Sequence, residues 1–330
     1  MKQLLIKLIE CQRLTFEESR SLMNGIAHNE VNEAQIASVL TAFIIRTISI
    51  DELRGFRQAL LDLAVRVNLN EGYGIDLCGT GGDGKNTFNI STVSSFVVAA
   101  AGYPVIKHGN YGATAVSGSS NVMEHVGYRF SNDENKLQKE LDKAGICFLH
   151  APLFHPALKV VGPIRKQLGI KTFFNMLGPL VNPANPEYQL SGVYNSETGR
   201  VYSYFLQEEN KMFTVLHSLD GYDEVSLTSS VKLFTQHGET LINFEEKGLK
   251  KLVPEDIRGG STIEDAARIF VSILENKCTP EQLSVVLANS ALAINCIDGS
   301  KSIEDSLEIA REAVVSGKAL SGFKELINMQ

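Results

Sequence analysis

The residues best suited to chemistry are concentrated in segment 76–121, which is rich in glycine, hydroxyl and amide side chains. A short apolar segment, 75–78, is followed at once by a run of glycines: Gly79, Gly81, Gly82 and Gly84. Glycine tolerates positive φ and lets backbone N–H groups approach a ligand closely. Such a loop can therefore fold into an anion-binding nest, and the sequence predicts a phosphate site here.

Two further polar segments follow the glycine run, one before a predicted helix and one after the next predicted strand. Asn89 and Ser91 precede the apolar run 93–101, and either is a common N-cap for a helix whose N-terminus favours phosphate. A strand is predicted at 104–106, and it leads into four small or polar residues: Lys107, His108, Gly109 and Asn110. We therefore expect two phosphate-binding loops at the ends of neighbouring strands.

Other functions for the glycine-rich loop are less well supported. Gly79, Gly81 and Gly84 satisfy G-x-G-x-x-G, but a dinucleotide site also needs an acidic residue about 20 positions later. Lys107 and His108, which end the second predicted strand, suit phosphate better than a ribose diol. The P-loop pattern G-x-x-x-x-G-K-[ST] is absent, which disfavours a nucleotide hydrolase. A glycine turn without a ligand would leave the second polar loop unexplained.

Composition narrows the class of protein. The chain has 330 residues with a formal net charge of −7, which argues against a nucleic-acid or membrane-surface protein. Its length allows one large domain and a smaller one. No apolar run reaches the ~20 residues that span a bilayer, and no secretory signal pattern opens the sequence. The five cysteines show no metal-binding spacing, which favours free thiols and a cytoplasmic location.

The elements that must position these residues fall into two groups. Helices are predicted from residue 4 to about 69, with capping boxes at Thr15–Glu18 and Ser49–Glu52 and the last helix ending near Val67. From residue 75 strands and helices alternate, which favours a mainly parallel central sheet covered by helices. Strands are predicted at 146–149, 189–194, 212–217, 231–235 and 240–244, and three final helices at 263–274, 280–295 and 303–315.

The predicted fold is therefore α/β, with a small all-helical domain beside a larger α/β domain. The helical domain comprises residues 1–69 and is joined by a returning, proline-punctuated segment at roughly 165–185. The larger domain comprises residues 75–164 and 186–330.

Taken together, GTGGDG, the following NIST, KHGN and SGSSNVMEHVG resemble the anthranilate phosphoribosyltransferases of tryptophan biosynthesis. The similarity continues through RKQLG at 165–169, the stretch 173–183 and 220–225, and so covers nearly the whole chain. It implies transfer of the phosphoribosyl group from phosphoribosyl pyrophosphate (PRPP) to the amine of anthranilate, with release of pyrophosphate. It also implies bound magnesium, two ions per site, and a homodimer formed through the helical domain, with no nucleic-acid or membrane partner.

The resemblance assigns roles residue by residue. Binding of PRPP falls on both polar loops: Gly79, Gly82, Asp83, Thr87, Asn89, Ile90, Ser91, Thr92, Lys107, His108, Gly109, Asn110, Tyr111, Gly112, Ala113, Thr114, Ala115 and Ser119. Anthranilate contacts fall on Gly79, Asn110, His155 and Arg165, and magnesium ligation on Ser91, Asp223 and Glu224. The acceptor amine is neutral at pH 7, so no general base is expected. Lys107 and magnesium would stabilise the charge that develops on the leaving pyrophosphate.

Some features leave alternatives open. Tyr111 stands where many members of the family have arginine, and Asn121 where aspartate is usual, so the role of Tyr111 is undecided. A lone histidine is more often structural than functional, but for His155 both interpretations are equally open. A pyrimidine nucleoside phosphorylase shares the expected architecture but would use free phosphate and a nucleoside. A non-catalytic relative that binds nucleic acid would predict a basic chain without Asp223 and Glu224.

Overall fold

The N-terminal part is a bundle of four helices. The computed structural model describes residues 1–112 and 116–330, and it places these helices at α1 Lys2–Ile9, α2 Phe16–Ala27, α3 Glu33–Ile45 and α4 Ile50–Asp62. Both predicted capping boxes are present, at the N-termini of α2 and α4. The prediction that α4 extends to Val67 is wrong. The Val65 amide donates to the Phe154 carbonyl (2.9 Å), which draws the chain away from the helix.

The C-terminal part is built on one seven-stranded sheet. Its strands are β1 Ile75–Leu77, β2 Val105–Gly109, β3 Ile146–His150, β4 Tyr188–Gly192, β5 Met212–Ser218, β6 Val231–Thr235 and β7 Gly238–Ile242. The order is β3-β2-β1-β4-β5-β6-β7, with β1 to β5 parallel and β6 and β7 antiparallel. Strand β2 is longer than predicted, because it pairs with β3 through Gly109↔His150. Lys107 and His108 therefore lie inside the strand and not after it.

Eleven further helices surround the sheet in the described part of the chain. They are α5 Ile90–Ala100, α6 Ser119–His125, α7 Glu134–Ala144, α8 Ala151–Phe154, α9 Leu158–Leu168, α10 Phe174–Leu177, α11 Ser196–Glu208, α12 Ile263–Leu274, α13 Pro280–Ile297, α14 Ile303–Val315 and α15 Lys318–Asn328. Short 3₁₀ helices occur at Asn70–Gly72, Gly178–Leu180, Phe244–Lys247 and Pro254–Ile257. No helix among the described residues is long and apolar enough to cross a membrane.

Four helices, not the predicted three, close the chain. The missed helix, α15, begins directly after Gly317, whose φ of 78° ends the preceding turn. Its buried residues Ala319, Phe323 and Leu326 recur at helical spacing and cover the main core. The strand predicted at 240–244 also begins two residues early, since Thr235 pairs with Gly238 in a tight hairpin.

Opposite faces of the sheet bury different cores. In β5, Phe213 and Val215 pack into the core shared with the helical bundle, while Leu216 points into the core formed with α5 and α13. This alternation is the period of two expected of a strand buried on both faces. A small all-helical unit therefore packs beside a larger α/β unit with a mainly parallel sheet, and the predicted fold class is confirmed.

The segment carrying Arg165 packs on the helical side. Helix α9 contacts α2 and α3 and buries Val161 and Ile164 against them. The ring of Phe173 lies 4.9 Å from that of Phe43 and 4.7 Å from that of Phe56, between centroids. Since α9 begins at Leu158, the contact with the bundle starts upstream of Arg165.

Strand order also marks where a ligand can bind. The chain runs from β1 outward to β2 and β3 on one side, and returns to β4 on the other side of β1. In open parallel sheets, ligands bind in the crevice at the carboxyl ends of the strands where the order reverses. The glycine-rich loop begins at this reversal, directly after β1.

Candidate active site

The glycine-rich loop is fixed against the loop that follows β5. The Thr80 amide donates to the Gly192 carbonyl (2.9 Å), and the Gly81 amide donates to Oδ2 of Asp223 (2.7 Å). A Cβ on Gly79 would lie 2.7 Å from that same Oδ2, and one on Gly192 would lie 1.5 Å from the Asp223 carbonyl oxygen. The position of the Asp223 carboxylate therefore depends on glycine at 79 and 192.

Glu224 reaches the N-terminus of α5 beside this loop. Its Oε1 accepts from the Ser91 amide (2.9 Å), and its Oε2 accepts from the Thr87 hydroxyl (3.4 Å). The fold thus brings Ser91 next to the adjacent pair Asp223 and Glu224, and Ser91 and Glu224 are 133 positions apart in sequence. These are the three residues predicted to bind magnesium.

The surroundings of the Asp223 and Glu224 carboxyl groups disfavour the ionisation of both groups at once. Burial, followed by the charge of Glu224, raises the pKa of Asp223 well above its ordinary value. Burial also raises the pKa of Glu224 to about 7, and Asp83 adds a further like charge. A cation would relieve this repulsion.

The oxygen atoms of Asp223, Glu224 and Ser91 are suitable ligands for Mg²⁺. The carboxylates and the Ser91 hydroxyl offer hard oxygens, which Mg²⁺ prefers. Among residues 1–112 and 116–330, no group of three or more His, Cys, Asp or Glu side chains forms a metal cluster. Remaining ligands must then be water or substrate oxygens, as is usual for Mg²⁺ bound with phosphates.

The second polar loop adjoins the first. Asn89, one of the two predicted N-cap candidates, does occupy the N-cap position of α5. Its side chain makes no capping hydrogen bond there and donates instead to the Ser117 carbonyl (3.1 Å), which ties the two loops together. A Cβ on Gly109 would lie 2.5 Å from the Ser119 hydroxyl, so β2 passes close under α6. Of the predicted PRPP-binding residues in this loop, Ala113, Thr114 and Ala115 lie outside the described residues.

The two positions that depart from the commoner pattern stabilise this second loop. The Tyr111 hydroxyl donates to Oε1 of Glu124 (3.1 Å). Oδ1 of Asn121 accepts the amide hydrogens of Gly112 (3.0 Å) and Gly118 (2.9 Å). Only an acceptor is needed at position 121, so a neutral amide oxygen fulfils the role there.

Lys107 and His108 lie beneath the loops. Each is 2% exposed, and the Lys107 ammonium donates to the Leu77 carbonyl. Burial lowers the pKa of His108 to about 3, so its ring is neutral and Nδ1 donates to the Gly178 carbonyl (3.0 Å). The charge of Lys107 lowers the pKa of Glu224, against the effect of burial. As phosphate contacts, both residues remain predictions.

Arg165 lies in the last turn of α9. We call its surroundings the helical wall, and the surroundings of Asp223 and Glu224 the sheet wall. Its Nη2 donates to Oδ1 of Asn175 (3.2 Å), and its guanidinium carbon lies 5.7 Å from the centroid of the Phe174 ring. Burial lowers the pKa of Arg165. No carboxylate of the described residues lies within ion-pair distance of it. A half-buried cation without an acidic partner suits an anionic ligand.

The two walls meet at Gly82. A Cβ there would lie 3.3 Å from Cε of Lys171 and 3.8 Å from Nδ2 of Asn175. The returning segment therefore touches the glycine-rich loop, so the Arg165 side lies next to the carboxylate side. The region that these two sides border is called the cleft. Sequence analysis did not single out Asn175, although it lies in the stretch 173–183.

His155 is placed away from open solvent. It is 1% exposed, and its Nε2 donates to the Val181 carbonyl (2.7 Å). Burial lowers the pKa of His155 to about 4, so the ring is neutral. This bond fixes the returning segment behind the cleft, and a contact between His155 and anthranilate remains a prediction.

A buried network missed from the sequence holds the base of the cleft. Asp76 accepts from the His108 amide (3.0 Å) and from the Asn182 side chain (3.0 Å), which also donates to the Ile106 carbonyl (2.9 Å). Burial raises the pKa of Asp76 to about 6. The network joins β1, β2 and the returning segment, so it sets the distance between the two walls.

Comparison with known proteins agrees with the fold. The model of the glycosyl transferase family, a/b domain, matches residues 71–320, and that of its helical bundle domain matches residues 2–64. These matches define the class as a two-domain glycosyl transferase.

Individual relatives narrow the class. The chain is 53% identical to an anthranilate phosphoribosyltransferase of Flavobacterium johnsoniae, covering 99% of this chain and 98% of the relative. It is 51% identical to that of Bacteroides fragilis, covering 100% and 99%. The chain therefore belongs to the anthranilate phosphoribosyltransferase family, and the resemblance found in its sequence is confirmed.

Solved structures show the same architecture. The anthranilate phosphoribosyltransferase of Thermus thermophilus superposes with a TM-score of 0.92 at 28% identity, covering 98% of each chain. The Saccharomyces cerevisiae enzyme in complex with PRPP and Mg superposes with a TM-score of 0.91 at 25% identity, covering 98% of this chain and 96% of that one.

Proposed function

We propose that this protein transfers the phosphoribosyl group of PRPP to the amine of anthranilate, giving N-(5-phosphoribosyl)anthranilate and pyrophosphate. One observation carries the proposal. A carboxylate pair against the glycine-rich loop borders the same cleft as an arginine that has no acidic partner among residues 1–112 and 116–330. The first wall suits a metal-bound pyrophosphate, and the second suits an aromatic carboxylate. The names of the full-length relatives agree with this pairing of substrates.

The donor PRPP is assigned to the two loops at the strand ends. The residues proposed to bind it are those predicted from the sequence: Gly79, Gly82, Asp83, Thr87, Asn89, Ile90, Ser91, Thr92, Lys107, His108, Gly109, Asn110, Tyr111, Gly112, Ala113, Thr114, Ala115 and Ser119. Gly82 lies in the first of these loops with a positive φ of 75°, a backbone conformation that favours glycine. Free backbone amides there would bind most strongly as negative charge grows on the leaving pyrophosphate.

Asp223, Glu224 and Ser91 would hold Mg²⁺, with two ions per site. When bound, Mg²⁺ neutralises charge on the pyrophosphate and orients it for departure. The carboxylates keep the site anionic above pH 7, and Lys107 stabilises their ionised form from below. Lys107 would thereby support the charge balance of the transition state.

The acceptor is assigned to the Arg165 wall, with Gly79, Asn110 and His155 completing its site. The planar guanidinium can bind a carboxylate through two parallel hydrogen bonds. That contact would direct the neutral amine, whose lone pair is free, toward the ribose carbon. No protein base needs to accept a proton before the bond forms.

We also propose a homodimer formed through the helical part. Four isoleucines of α1 and α3 are exposed there, with exposed fractions of 43%, 71%, 43% and 76%: Ile6, Ile9, Ile44 and Ile45. Covering such apolar side chains is favourable. A paired Ile9→Lys and Ile45→Lys variant should sediment as a monomer, whereas an unchanged mass would reject this surface. The five free cysteines suit a reducing, cytoplasmic location.

The activity is tested by following anthranilate fluorescence in the presence of PRPP and Mg²⁺. We expect fluorescence to fall with time, and to stay constant when PRPP or Mg²⁺ is omitted. Pyrophosphate should appear in equal amount. Constant fluorescence in the complete mixture, or phosphorolysis of a pyrimidine nucleoside in its place, would reject the proposed function.

A further inference from the structure

The partner of Arg165 is an uncharged side chain. Asn175 is half-buried, and its Oδ1 accepts from Arg165 Nη2 and from the Thr172 amide, at 3.2 Å each. An amide oxygen has two lone pairs, so these two donors saturate it. The Thr172 contact closes a local turn and fixes the direction in which Oδ1 points. Asn175 therefore restrains the guanidinium without neutralising its charge.

The rest of the guanidinium is left available. An arginine carries five N–H donors, and the described residues engage Arg165 only through Nη2 and the face of Phe174. Nδ2 of Asn175 donates to no protein acceptor in the described ranges, and it faces Gly82 across the cleft. The proposed site for the substrate carboxylate and the glycine-rich loop therefore adjoin at the side chain of Asn175.

We propose that Asn175 is a positioning residue whose neutrality makes Arg165 selective for a substrate carboxylate. This inference rests on the proposed function. An aspartate at 175 would keep the size of the side chain and both hydrogen bonds, but it would give Arg165 an internal carboxylate. That group would compete with the substrate for the same donors. The site therefore requires an uncharged side chain at position 175, and a side chain of the same shape that carries a negative charge does not suffice.

The test compares Asn175→Ala with Asn175→Asp at saturating PRPP. We expect the anthranilate KM to rise about tenfold for Asn175→Ala, which loses the orienting acceptor, and roughly 100-fold for Asn175→Asp. A purely structural role predicts the reverse order, because aspartate preserves the shape and alanine does not. Thermal unfolding should show Asn175→Asp to be at least as stable as Asn175→Ala.

Two controls separate the local effect from general charge. Gln167→Glu adds the same charge on the exposed surface of α9, and it should leave the anthranilate KM unchanged. In the Arg165→Ala background, Asn175→Asp should raise the anthranilate KM by a much smaller factor than it does in the wild type, because competition for the guanidinium needs the arginine and only charge repulsion is left. Aniline, which lacks the carboxylate, should not distinguish Asn175→Asp from Asn175→Ala.

The outcomes distinguish this inference from the proposed function. A larger loss in Asn175→Ala than in Asn175→Asp, with normal use of anthranilate by the wild type, would overturn the role of Asn175 alone. Wild-type protein that uses neither anthranilate nor aniline would overturn the proposed function. An anthranilate KM in the double variant that rises by the full product of the two single-variant factors would also contradict the inference, because the two residues would then act independently.

Discussion

The two walls of the cleft carry opposite charges: the sheet wall has an acidic pair, and the helical wall has an arginine. On the sheet side, Asp223 and Glu224 lie beside each other with raised pKa values. The Gly81 and Ser91 amides, the Thr87 hydroxyl and the charge of Lys107 stabilise their ionised forms. On the helical side, Arg165 has an aromatic face and a neutral amide as neighbours. Among the described residues, neither Asp223 nor Glu224 forms an ion pair with a lysine or arginine, and Arg165 forms none with a carboxylate. In the proposed function, each wall binds a different ligand: the sheet wall binds a metal with pyrophosphate, and the helical wall binds an organic carboxylate.

The walls also differ in how they are built. The sheet wall consists of strand ends and loops that glycine allows to approach closely, so its geometry resides in the backbone. The helical wall consists of side chains on α9 and the short α10, so the positions of its polar groups depend on side-chain rotamers. Substitutions on the sheet wall should therefore affect donor use and turnover, and those on the helical wall should affect acceptor selectivity.

The largest effect is expected from Asp223→Asn with Glu224→Gln. Removing both charges should reduce kcat roughly 100- to 1000-fold, because the metal that stabilises the leaving pyrophosphate is lost. High Mg²⁺ should restore part of the activity. Steady-state assays over a Mg²⁺ titration measure this.

A matched control is available at another adjacent acidic pair. Glu245→Gln with Glu246→Gln removes two exposed charges and should leave kcat unchanged. Full activity of the Asp223 and Glu224 double variant at every Mg²⁺ concentration would contradict the metal assignment.

The next largest effect is expected from Arg165→Ala. The anthranilate KM should rise about 10- to 100-fold, since a charge-assisted hydrogen bond contributes roughly 1.5–3 kcal/mol, while the KM of PRPP should change little. Arg165→Lys keeps the charge without the planar fork and should be intermediate. Lys166→Ala, on the exposed side of the same helix, is the control. Equal losses with anthranilate and aniline would show that Arg165 supports only the fold or closure of the cleft.

A smaller effect is expected from Gly79→Ala. The added Cβ would lie 2.7 Å from Oδ2 of Asp223, so the carboxylate must move. We expect the KM of PRPP to rise about tenfold, with little change in melting temperature. Gly299→Ala, where no atom lies within 4 Å of the new Cβ, is the control. Unchanged PRPP use with a lower melting temperature would make the loop a structural turn.

The smallest effect concerns pH. Because the pKa of Glu224 is about 7 in the folded protein, above its ordinary 4.5, the folded state binds the extra proton between these values. Stability of the metal-free protein should then fall as pH rises through this range. We expect its melting temperature to be roughly 2–5 °C lower at pH 8 than at pH 6, after subtraction of the same difference in Asp223→Asn with Glu224→Gln. Mg²⁺ should stabilise the wild type more at pH 8, and equal stabilisation at both values would contradict the account.

Local patterns allowed much of the fold to be predicted. The capping boxes at Thr15 and Ser49 set helix starts through bonds between residues three positions apart, which a sequence displays directly. The alternation of strands and helices likewise gave the parallel sheet. The end of β2 was missed, because only pairing with β3 carries the strand through Lys107 and His108.

The site was predictable where motifs are contiguous and not where contacts are distant. The glycine-rich loop and the Asp223–Glu224 pair are visible as short motifs. By contrast, Asp76 binds Asn182 across 106 positions, and the buried aspartate in a three-residue strand has no local signature. Asn175 binds Arg165 across only ten positions, yet two short helices separated by a turn must first be placed.

The central claim, that each wall serves a different substrate, is tested most directly by calorimetric titration of Mg²⁺–PRPP. The titration would compare wild type, Arg165→Ala and Asp223→Asn with Glu224→Gln in the absence of acceptor. We predict that Arg165→Ala binds PRPP with the affinity of the wild type, and that the acidic-pair variant binds it at least tenfold more weakly. Equal weakening in both variants would show that the walls act as one site, and would contradict the account.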